Sequence, residues 1–284
     1  MNDHSAIASW INSSKLLTMS LLGRTKRRLL GPHVAAVLVN SNNGLILVDV
    51  EDLSVGRKLA YCGVYGTDEL ARLYDAVRPE SRVLVVGTHV GSQAIVLSRR
   101  CAQISAIEAN PKTFKLLELN VLINGCTNVK TIHIAASDKR EEIEFVMSRT
   151  NSGGSKRSPA IRDFAYFYDS PEIAKVPAAP LDEVLGGQQF DVILMDIEGS
   201  EYFALKGMTK LFSGCRDLFV EYVPHHLKNV SCVGVPEFVA TISPYFSQRH
   251  IPSKDLNVAR EGFVSALEAM YDAGECDDGL HFSE

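Results

Sequence analysis

Short apolar runs alternate with amphipathic segments from residue 82 onward. Nearly continuous apolar residues, typical of strands buried on both faces, occur in VLVVG, ISAIE, VKTIHIAA, FDVILMDIE and DLFVEYV. Apolar residues at helical spacing occur between them, in SQAIVLSRR, PKTFKLLELNVLIN and EYFALKGMTKLF. Pro111 opens the second of these helices and Gly125 ends it. The pattern predicts a regular alternation of strands and helices.

The residues before this alternation predict a different arrangement. Helical spacing covers residues 5–30, and a β-hairpin is indicated by HVAAVLVN and GLILVDV around an Asn42-Asn43-Gly44 turn. Thr67 precedes a further helix that ends before Pro79. For the first helix we favour docking or homodimer contact, with its basic end in solvent, over membrane-surface binding.

Three other stretches depart from the rhythm. EIEFVM alternates like an additional strand, whereas residues 151–180 are rich in Gly, Ser and Pro and predict irregular structure. We interpret NSGGSKRS within them as either a mobile loop over a substrate or a plain surface excursion. Acidic residues 272–284 are interpreted as a frayed tail.

The β-α rhythm predicts one fold class. Strands followed by helices form a mostly parallel sheet with helices on both faces, which is a doubly wound, Rossmann-like α/β fold. We therefore divide the chain into an N-terminal helical and hairpin extension (1–80), an α/β domain (81–270) and a C-terminal tail (271–284).

Composition limits the partners of the protein. The 284 residues are 46% hydrophobic and 22% charged, as in ordinary globular domains, and the formal net charge is −5. That charge gives no overall attraction to nucleic acid, so we expect no nucleic-acid partner. Six cysteines lie far apart without CxxC spacing, which indicates reduced thiols. We expect a cytoplasmic protein without stable membrane insertion, since we find no secretory signal pattern and no early apolar run long enough for a bilayer.

A glycine loop follows the first strand of the alternation. In Gly87-Thr88-His89-Val90-Gly91 a histidine stands where a dinucleotide-binding loop brings bare backbone to a pyrophosphate, which disfavours a nicotinamide oxidoreductase. S-adenosylmethionine, which has no phosphates, needs a sharp turn at Gly87 and close helix packing at Gly91. Glu108 closes the next strand, 21 residues after Gly87, where a carboxylate accepts ribose hydroxyls. The loop and Glu108 together predict a nucleoside site.

Several segments in order resemble those of the FkbM-type S-adenosylmethionine-dependent methyltransferases. They are YCGVYGTDELARLYDAVRPESRVLVVG, IEANPKTFKLLELNVLIN, AASD, NSG, PLDEVL, MDIEGSEYFALKGM and FVEYVP, and they span roughly two thirds of the chain. MDIEGSE followed by LKG is the most specific, and the glycine loop is the least. The resemblance implies a class I methyltransferase fold, usually with a seven-stranded sheet, and methyl transfer to an oxygen of a sugar or secondary metabolite.

The resemblance also implies roles for individual residues. Gly87, Gly91 and Glu108 would hold the cofactor. Ser137 and Asp138 would lie near the adenine, and Asp196 and Glu198 near the reacting centre. The complete set of expected cofactor contacts is Gly87, Thr88, His89, Gly91, Ser92, Glu108, Ala109, Ser137, Asp138 and Asp196.

Two positions of the loop region depart from the family. The family usually has an aspartate two residues before the first glycine, where this chain has Val85, and His89 replaces the usual asparagine. Either neighbouring groups such as His89 or Tyr65 compensate for the missing carboxylate, or the affinity for the cofactor is reduced or lost.

Methyl transfer by in-line displacement needs alignment of the reactants and a group that removes the acceptor proton. Candidate groups follow the last two apolar strands, at the edge of the sheet that carries the glycine loop: Asp196, Glu198, Glu221, His225 and His226. We interpret Asp196 as the carboxylate that faces the sulfonium, with Glu198 beside it, and His225 or His226 as the base.

The same residues have simpler interpretations. Asp196 and Glu198 are also typical of a helix start, where carboxylates cap backbone N–H groups. The acids and histidines suit a divalent cation in chemical type, but without a tight ligand spacing we expect no metal site.

The sequence therefore predicts an S-adenosylmethionine-dependent O-methyltransferase that acts on a hydroxyl of a saccharide or small secondary metabolite. The alternative is a non-catalytic binding or scaffold protein that retains the fold, for which Val85 is the main argument.

Overall fold

A computed structural model describes the backbone of residues 3–283 and the side chains from residue 13 onward; residues 1, 2 and 284 of the predicted terminal segments lie outside it. The strands are β1 (Ala36–Ser41), β2 (Gly44–Asp49), β3 (Arg82–Val86), β4 (Gln103–Glu108), β5 (Val129–His133), β6 (Ala135–Ala136), β7 (Glu141–Met147), β8 (Lys156–Arg157), β9 (Glu172–Ala179), β10 (Val192–Met195), β11 (Asp217–Tyr222), β12 (Gln248–Ile251), β13 (Leu256–Asn257) and β14 (Asp277–Ser283). The helices are α1 (Asp3–Leu30), α2 (Val55–Cys62), α3 (Thr67–Ala76), α4 (Ser92–Ser98), α5 (Pro111–Ile123), α6 (Leu181–Val184), α7 (Glu201–Lys206), α8 (Pro224–His226), α9 (Val235–Ala240) and α10 (Arg260–Ala273).

One large sheet carries the fold. Its eight strands, counted over residues 3–283, follow the order β13-β12-β14-β11-β10-β3-β4-β5. The five neighbouring strands β11, β10, β3, β4 and β5 are parallel. β14 pairs antiparallel with both β11 and β12. The doubly wound, mostly parallel α/β fold is therefore confirmed. The family resemblance implied seven strands, and this sheet has eight because the short strand β13 pairs with β12 through two residues at the edge.

The last strand of this sheet was missed by the sequence pattern. Residues 277–283 form β14 between β11 and β12, so the interpretation of residues 272–284 as a frayed tail is wrong. Leu280 and Phe282 are fully buried in it. The buried carboxylate of Asp277 accepts hydrogen bonds from the backbone N–H groups of Ser253 and Gly279, at 2.8 and 2.9 Å. These contacts fix the C-terminal segment in the core.

The third predicted strand is divided between two sheets. β5 ends at His133, and Ala135–Ala136 form β6, which pairs with β9 in a second sheet of order β6-β9-β7-β8. Residues 151–180 therefore contain β8 and β9 instead of irregular structure alone. Ser152, Gly154 and Ser155 are buried, so NSGGSKRS is a packed segment and not a surface excursion.

Apolar residues cover the large sheet on both faces. Leu84 and Val86 of β3 pack into a cluster with residues of α6, α7, α9 and α10, including Leu205. Val83 and Val85 point to the opposite cluster, with residues of α3, α4 and α5. Alternate side chains of one strand thus enter two cores, which is why β3 is apolar throughout. Within the described residues, no helix combines the length and apolar character needed to cross a membrane.

The hairpin of β1 and β2 is attached to the α/β core through side-chain amides, among them that of the buried Asn120. Asn120 on α5 accepts the backbone N–H of Leu47 at 2.7 Å and donates to the Leu47 carbonyl at 3.0 Å. Its amide also donates to the carbonyl of Val90 in the glycine loop at 2.8 Å. The N-terminal residues are therefore fixed directly to the loop that follows β3.

Candidate active site

A cavity of about 270 Å³ lies at the carboxyl ends of β3, β4, β10 and β11. This is the edge at which open α/β sheets bind ligands. One part of its lining is apolar and consists of Ile107, Ala109, Ile134, Ala135, Ala136, Ile143 and Phe145. Another part is acidic and consists of Glu108, Asp196, Glu198 and Glu221. The cavity can therefore take a ligand with one flat apolar end and one cationic or hydroxylated end.

The glycine loop passes directly over the end of β10. Gly87 has φ +88° and donates its N–H to the carbonyl of Ile107 at 3.0 Å. A Cβ at Gly87 would lie 1.7 Å from the carbonyl oxygen of Asp196, so no other residue fits. At Gly91, φ is +87° and a Cβ would lie 2.7 Å from Leu117 Cδ1 on α5. The predicted sharp turn and close helix packing are both confirmed.

Glu108 lines the cavity although it is only 7% exposed. Its Oε2 accepts the backbone N–H of His89 at 2.7 Å. Its Oε1 accepts the backbone N–H of Asn110 at 2.7 Å and the hydroxyl of Thr113 at 3.0 Å. Three donors from the loop and from the start of α5 thus fix the carboxylate at the end of β4.

His89 is held from both its backbone and its ring. The residue has φ +53°, in the left-handed region that a non-glycine residue seldom adopts, and its N–H is bound to Glu108. Its ring Nε2 lies 2.7 Å from Ser152 Oγ, and Ser152 donates to the buried carboxylate of Asp52. Contacts at both ends stabilise a conformation that would otherwise be strained.

Asp196 and Glu221 are two carboxyl groups on adjacent strands. Met195 pairs with Val220, so Asp196 and Glu221 follow side by side. Asp196 is exposed by its accessible surface and lines the cavity, although protein atoms crowd around its carboxyl group. Burial and the neighbouring carboxylates raise the pKa of both Asp196 and Glu221 well above the usual range. Two acids placed in this way resist ionising together, which favours a shared proton.

Lys156 supplies the buried positive charge of the site. Its Nζ lies 2.9 Å from Glu198 Oε2, 3.0 Å from His226 Nε2 and 4.8 Å from the centre of the Tyr166 ring. Burial disfavours the ionised form of Glu198, but the charge and hydrogen bond of Lys156, together with the neighbouring histidines, outweigh it and hold the pKa of Glu198 below its usual value. Burial, together with Lys156, lowers the pKa of His226 to about 3. His226 is therefore neutral, and its Nε2 accepts a hydrogen from the ammonium.

The same cluster has the composition of a cation site. Among the described residues, Glu198, Glu221 and His226 bring one potential ligand atom each to within 4.8 Å of one another. The Lys156 ammonium contacts two of these three residues. One lone pair of Glu198 and one of His226 are thus bound to a cation that belongs to the chain.

The structure brings most of the predicted site residues to the cavity. The lining includes Gly87, Thr88, His89, Ser92, Glu108, Ala109, Asp196 and Glu198. Thr88 stiffens the loop, since its hydroxyl lies 3.1 Å from the carbonyl oxygens of both Val85 and Ile107.

Other predicted residues lie beside the cavity without lining it. Gly91 packs against α5 instead. The hydroxyl of Ser137 accepts from Arg157 at 2.9 Å, and Asp138 pairs with Lys206 at 2.9 Å. Ala135 and Ala136, which precede them, form that part of the wall.

The two adjacent histidines differ from each other. His226 contacts Glu198, with Nδ1 3.4 Å from Oε2. The side chain of His225 is 46% exposed and lies 3.8 Å from Asp163 Oδ2, and its ring packs against Tyr166. Neither histidine lines the cavity. The pair thus consists of one half-buried and one surface residue.

Sequence reasoning missed several residues of the site. Ser54 and Val55 come from the N-terminal extension and line the cavity, as does Tyr65, which was considered only as a substitute for the missing aspartate. Ser152 and Lys156 come from the interval that was predicted to be irregular. No local signal marks them, because long-range packing brings them to the loop.

The position of Val85 explains why the departure from the family pattern leaves the fold intact. Val85 is 2% exposed and lies in the apolar cluster with Leu73 and Leu194. It does not line the cavity, whereas Val86 does.

Comparison with known proteins gives one family match. A sequence model described as "Methyltransferase FkbM domain" matches residues 86–239, which include the loop, Glu108, Lys156 and the acids at the carboxyl ends of β10 and β11. No curated protein matches the chain by sequence.

Three solved structures illustrate the similarity. An FkbM methyltransferase from Methylobacillus flagellatus KT is 15% identical, with 76% of this chain and 51% of that chain covered and a TM-score of 0.41. Trm5b from Pyrococcus abyssi is 13% identical, with 89% and 57% covered and a TM-score of 0.46. TYW2 from M. jannaschii, solved in complex with AdoMet, is 15% identical, with 66% and 62% covered and a TM-score of 0.36. The chain spans about half the length of the first of these proteins.

Proposed function

The chain belongs to the FkbM methyltransferase family, and on that premise we propose that it binds S-adenosylmethionine and methylates a hydroxyl oxygen. The acceptor we propose is a saccharide or a small secondary metabolite. The observation that carries the proposal is Glu108, a buried carboxylate that lines the cavity beside the glycine loop, in which His89 disfavours a pyrophosphate ligand. When bound, S-adenosylmethionine supplies a methyl group on a positively charged sulfur.

Glu108 has hydrogen-bonding capacity left for a ribose. A carboxylate offers about four acceptor positions, of which the N–H groups of His89 and Asn110 and the hydroxyl of Thr113 take three. The single hydroxyl hydrogen of Thr113 also reaches the Asn110 carbonyl, at 3.2 Å. When Thr113 donates there, two positions of Glu108 remain, one for each ribose hydroxyl. This capacity supports a nucleoside at Glu108.

The apolar wall suits an adenine. Ala109 follows Glu108 directly and packs against an apolar cluster that includes Ala135, Ile143 and Phe145, and all four line the cavity together with Ala136. We propose that Ala135 and Ala136 contact the base directly. Ser137 and Asp138 then support this wall through Arg157 and Lys206.

The acidic end of the cavity suits the sulfonium and the acceptor. Asp196 and Glu221 share a region in which burial raises the pKa of each. A cationic ligand there offsets the repulsion between them. Alignment of the reactants by such fixed groups contributes up to about 7–11 kcal/mol to methyl transfer.

The N-terminal extension forms part of this site in the account we propose. Residues 1–80 contribute Ser54, Val55 and Tyr65 to the lining of the cavity. Burial, followed by the charge of Asp196, raises the pKa of Tyr65 above its usual value, so the phenol stays protonated and can donate a hydrogen bond. We therefore regard residues 81–270 as the cofactor-binding domain and residues 1–80 as the segment that completes its cavity.

Isothermal titration of the protein with S-adenosylmethionine tests the first half of the proposal, and absence of binding at millimolar ligand contradicts it. The second half is tested by transfer of labelled methyl to a panel of glycosides, polyols and phenols, with an RNA as a further arm. Binding without transfer to any member would favour the alternative, a binding or scaffold protein that retains the fold.

A further inference from the structure

His89 belongs to a hydrogen-bonded relay that joins three distant parts of the chain. The relay runs from Asp52, which precedes α2, through Ser152 to the ring of His89 in the glycine loop. Asp52 and Ser152 are buried, at 0% and 6% exposure, and His89 lines the cavity. A buried, fully hydrogen-bonded network holds its members rigidly, so the ring of His89 is presented to the cavity in one fixed orientation.

The donors around Asp52 determine the direction of every hydrogen bond in the relay. Oδ1 of Asp52 accepts the backbone N–H groups of Ser54 and Gly56, at 2.8 and 3.1 Å. Oδ2 accepts the hydroxyl of Ser152. Because Ser152 has only one hydroxyl hydrogen, its oxygen must accept from Nε2 of His89. The neutral ring therefore carries its hydrogen on Nε2 and its lone pair on Nδ1.

Nδ1 of His89 remains available to a ligand. No described side chain or backbone group forms a hydrogen bond to this atom, and it is absent from the fully buried, unpartnered polar atoms. The charged groups around the ring are Asp52 (Oδ2 4.0 Å from Nε2), Glu108 and, further off, Glu198 with its partner Lys156. A fixed tautomer with an accessible lone pair is the arrangement that a general base requires.

The other candidate bases are engaged. Nε2 of His226 and Oε2 of Glu198 both accept from the Lys156 ammonium, and His225 lies outside the lining. Glu108 is bound by three donors. Asp196 and Glu221 lie side by side at the acidic end of the cavity, which the account gives to the sulfonium, and burial and the neighbouring carboxylates raise the pKa of each.

We propose that His89 is the general base of the reaction and that Asp52 and Ser152 are its positioning residues. The inference rests on the proposed methyl transfer to a hydroxyl. In that step the acceptor oxygen forms the bond to the methyl carbon, and the carbon–sulfur bonding pair returns to sulfur. The hydroxyl proton moves to Nδ1 of His89. The resulting imidazolium is stabilised by Ser152 and Asp52, and its proton then passes to water.

The tautomer of His89 can be tested without any turnover. Long-range ¹H–¹⁵N spectra of histidine-labelled protein will show His89 with its hydrogen on Nε2, with the signal assigned by its loss in His89→Asn. In Asp52→Asn the amide oxygen must face Ser54 and Gly56, so the amide donates to Ser152. Ser152 then donates to Nε2, and the hydrogen of His89 moves to Nδ1. The same tautomer in both proteins, or hydrogen on Nδ1 in the wild type, would overturn the relay.

Turnover then tests the role of the base. His89→Asn is expected to lower kcat about 10²- to 10⁴-fold, with the Kd for S-adenosylmethionine within about threefold of wild type. In His89→Gly, which suits the left-handed backbone, added imidazole is expected to restore part of the activity. Asp52→Asn should lower kcat more than about tenfold. If Asp52→Asn fails to fold, Ser152→Ala replaces it as the test and should lower kcat in the same way. Exposed Asp68→Asn is the matched control and should keep the wild-type rate.

The failure of this inference and the failure of the proposed function have different signatures. If wild-type protein binds no S-adenosylmethionine, the proposed function fails, and the assignment of a base fails with it. If wild-type protein transfers methyl groups and His89→Asn retains the wild-type kcat, or imidazole restores nothing in His89→Gly, only the assignment of the base is overturned.

Discussion

The carboxylate of Glu108 accepts a 2.7 Å hydrogen bond from the backbone N–H of His89, and this bond couples the end of β4 to the glycine loop. His89 has φ +53° at that point, so the bond and the strained backbone occur at the same residue. One acidic side chain thus shapes the loop and also lines the cavity beside it.

Replacing Glu108 by Gln should weaken both functions. The buried N–H groups of His89 and Asn110 lose a charged acceptor, so the free energy of unfolding should fall by about 1–3 kcal/mol. We expect the Kd for S-adenosylmethionine to rise at least about tenfold, since one such hydrogen bond to a charged group is worth roughly 1.5–3 kcal/mol. Urea unfolding and calorimetric titration measure the two effects. Glu118→Gln, an exposed change on α5, should alter neither.

Gly87 and Gly125 offer a matched pair for the crowding at the loop. Both have positive φ, +88° and +64°, but a Cβ at Gly125 meets no atom within 4 Å, whereas one at Gly87 would lie 1.7 Å from the Asp196 carbonyl oxygen. Gly125→Ala should cost about 1–2 kcal/mol of stability from the backbone alone. Gly87→Ala should have the same backbone cost and lose about 1–3 kcal/mol more from overpacking. Equal losses in urea unfolding would refute the proposed close approach.

Lys156 is predicted to hold the acidic cluster together. Lys156→Met leaves Glu198 and His226 without the ammonium that they share, and removal of one partner of a buried ion pair costs about 3–5 kcal/mol. The variant should also bind Mn²⁺ through Glu198, Glu221 and His226 more tightly than wild type does. Thermal unfolding and the electron paramagnetic resonance of free Mn²⁺ report the two outcomes. Unchanged stability in this variant would show that the ammonium is not needed there.

Glu69 should make stability depend on pH near neutrality. Burial raises its pKa to about 7 from an ordinary 4.5, although Gln93 and Arg72 oppose the shift. Between these values the folded protein binds more protons than the unfolded chain, so stability falls as the pH rises from about 4.5 to 7. One such group contributes a slope of at most about 1.4 kcal/mol per pH unit. Glu69→Gln should reduce that slope, and the slope that remains should come from Glu201, whose pKa burial also raises to about 7, together with Asp196 and Glu221, whose pKa values burial raises as well.

The central strands could be predicted from sequence because each enters two cores. Val83, Leu84, Val85 and Val86 are all buried, and a run of this kind has few other structures open to it. β14 could not be predicted in the same way, since only Leu280 and Phe282 bury large apolar side chains among its polar residues. Its partners β11 and β12 identify it as a strand, and they lie far away in sequence.

The residues of the site likewise fall into those that the sequence could predict and those that it could not. The glycine loop, Glu108 and Asp196 follow the ends of predicted strands, so topology alone places them at one edge of the sheet. Asp52, Ser152 and Lys156 come from segments that have no strand or helix signal pointing to the site. Their positions depend on packing across 100 residues, from Asp52 to Ser152, which no local pattern encodes.

The structure of the protein with bound S-adenosylhomocysteine tests the central claim most directly. The account predicts both ribose hydroxyls within about 2.6–3.2 Å of the Glu108 carboxylate, the base against Ala135 and Ala136, and the sulfur on the side of Asp196. A nucleoside bound elsewhere, or a Glu108 side chain turned away from it, would contradict the account.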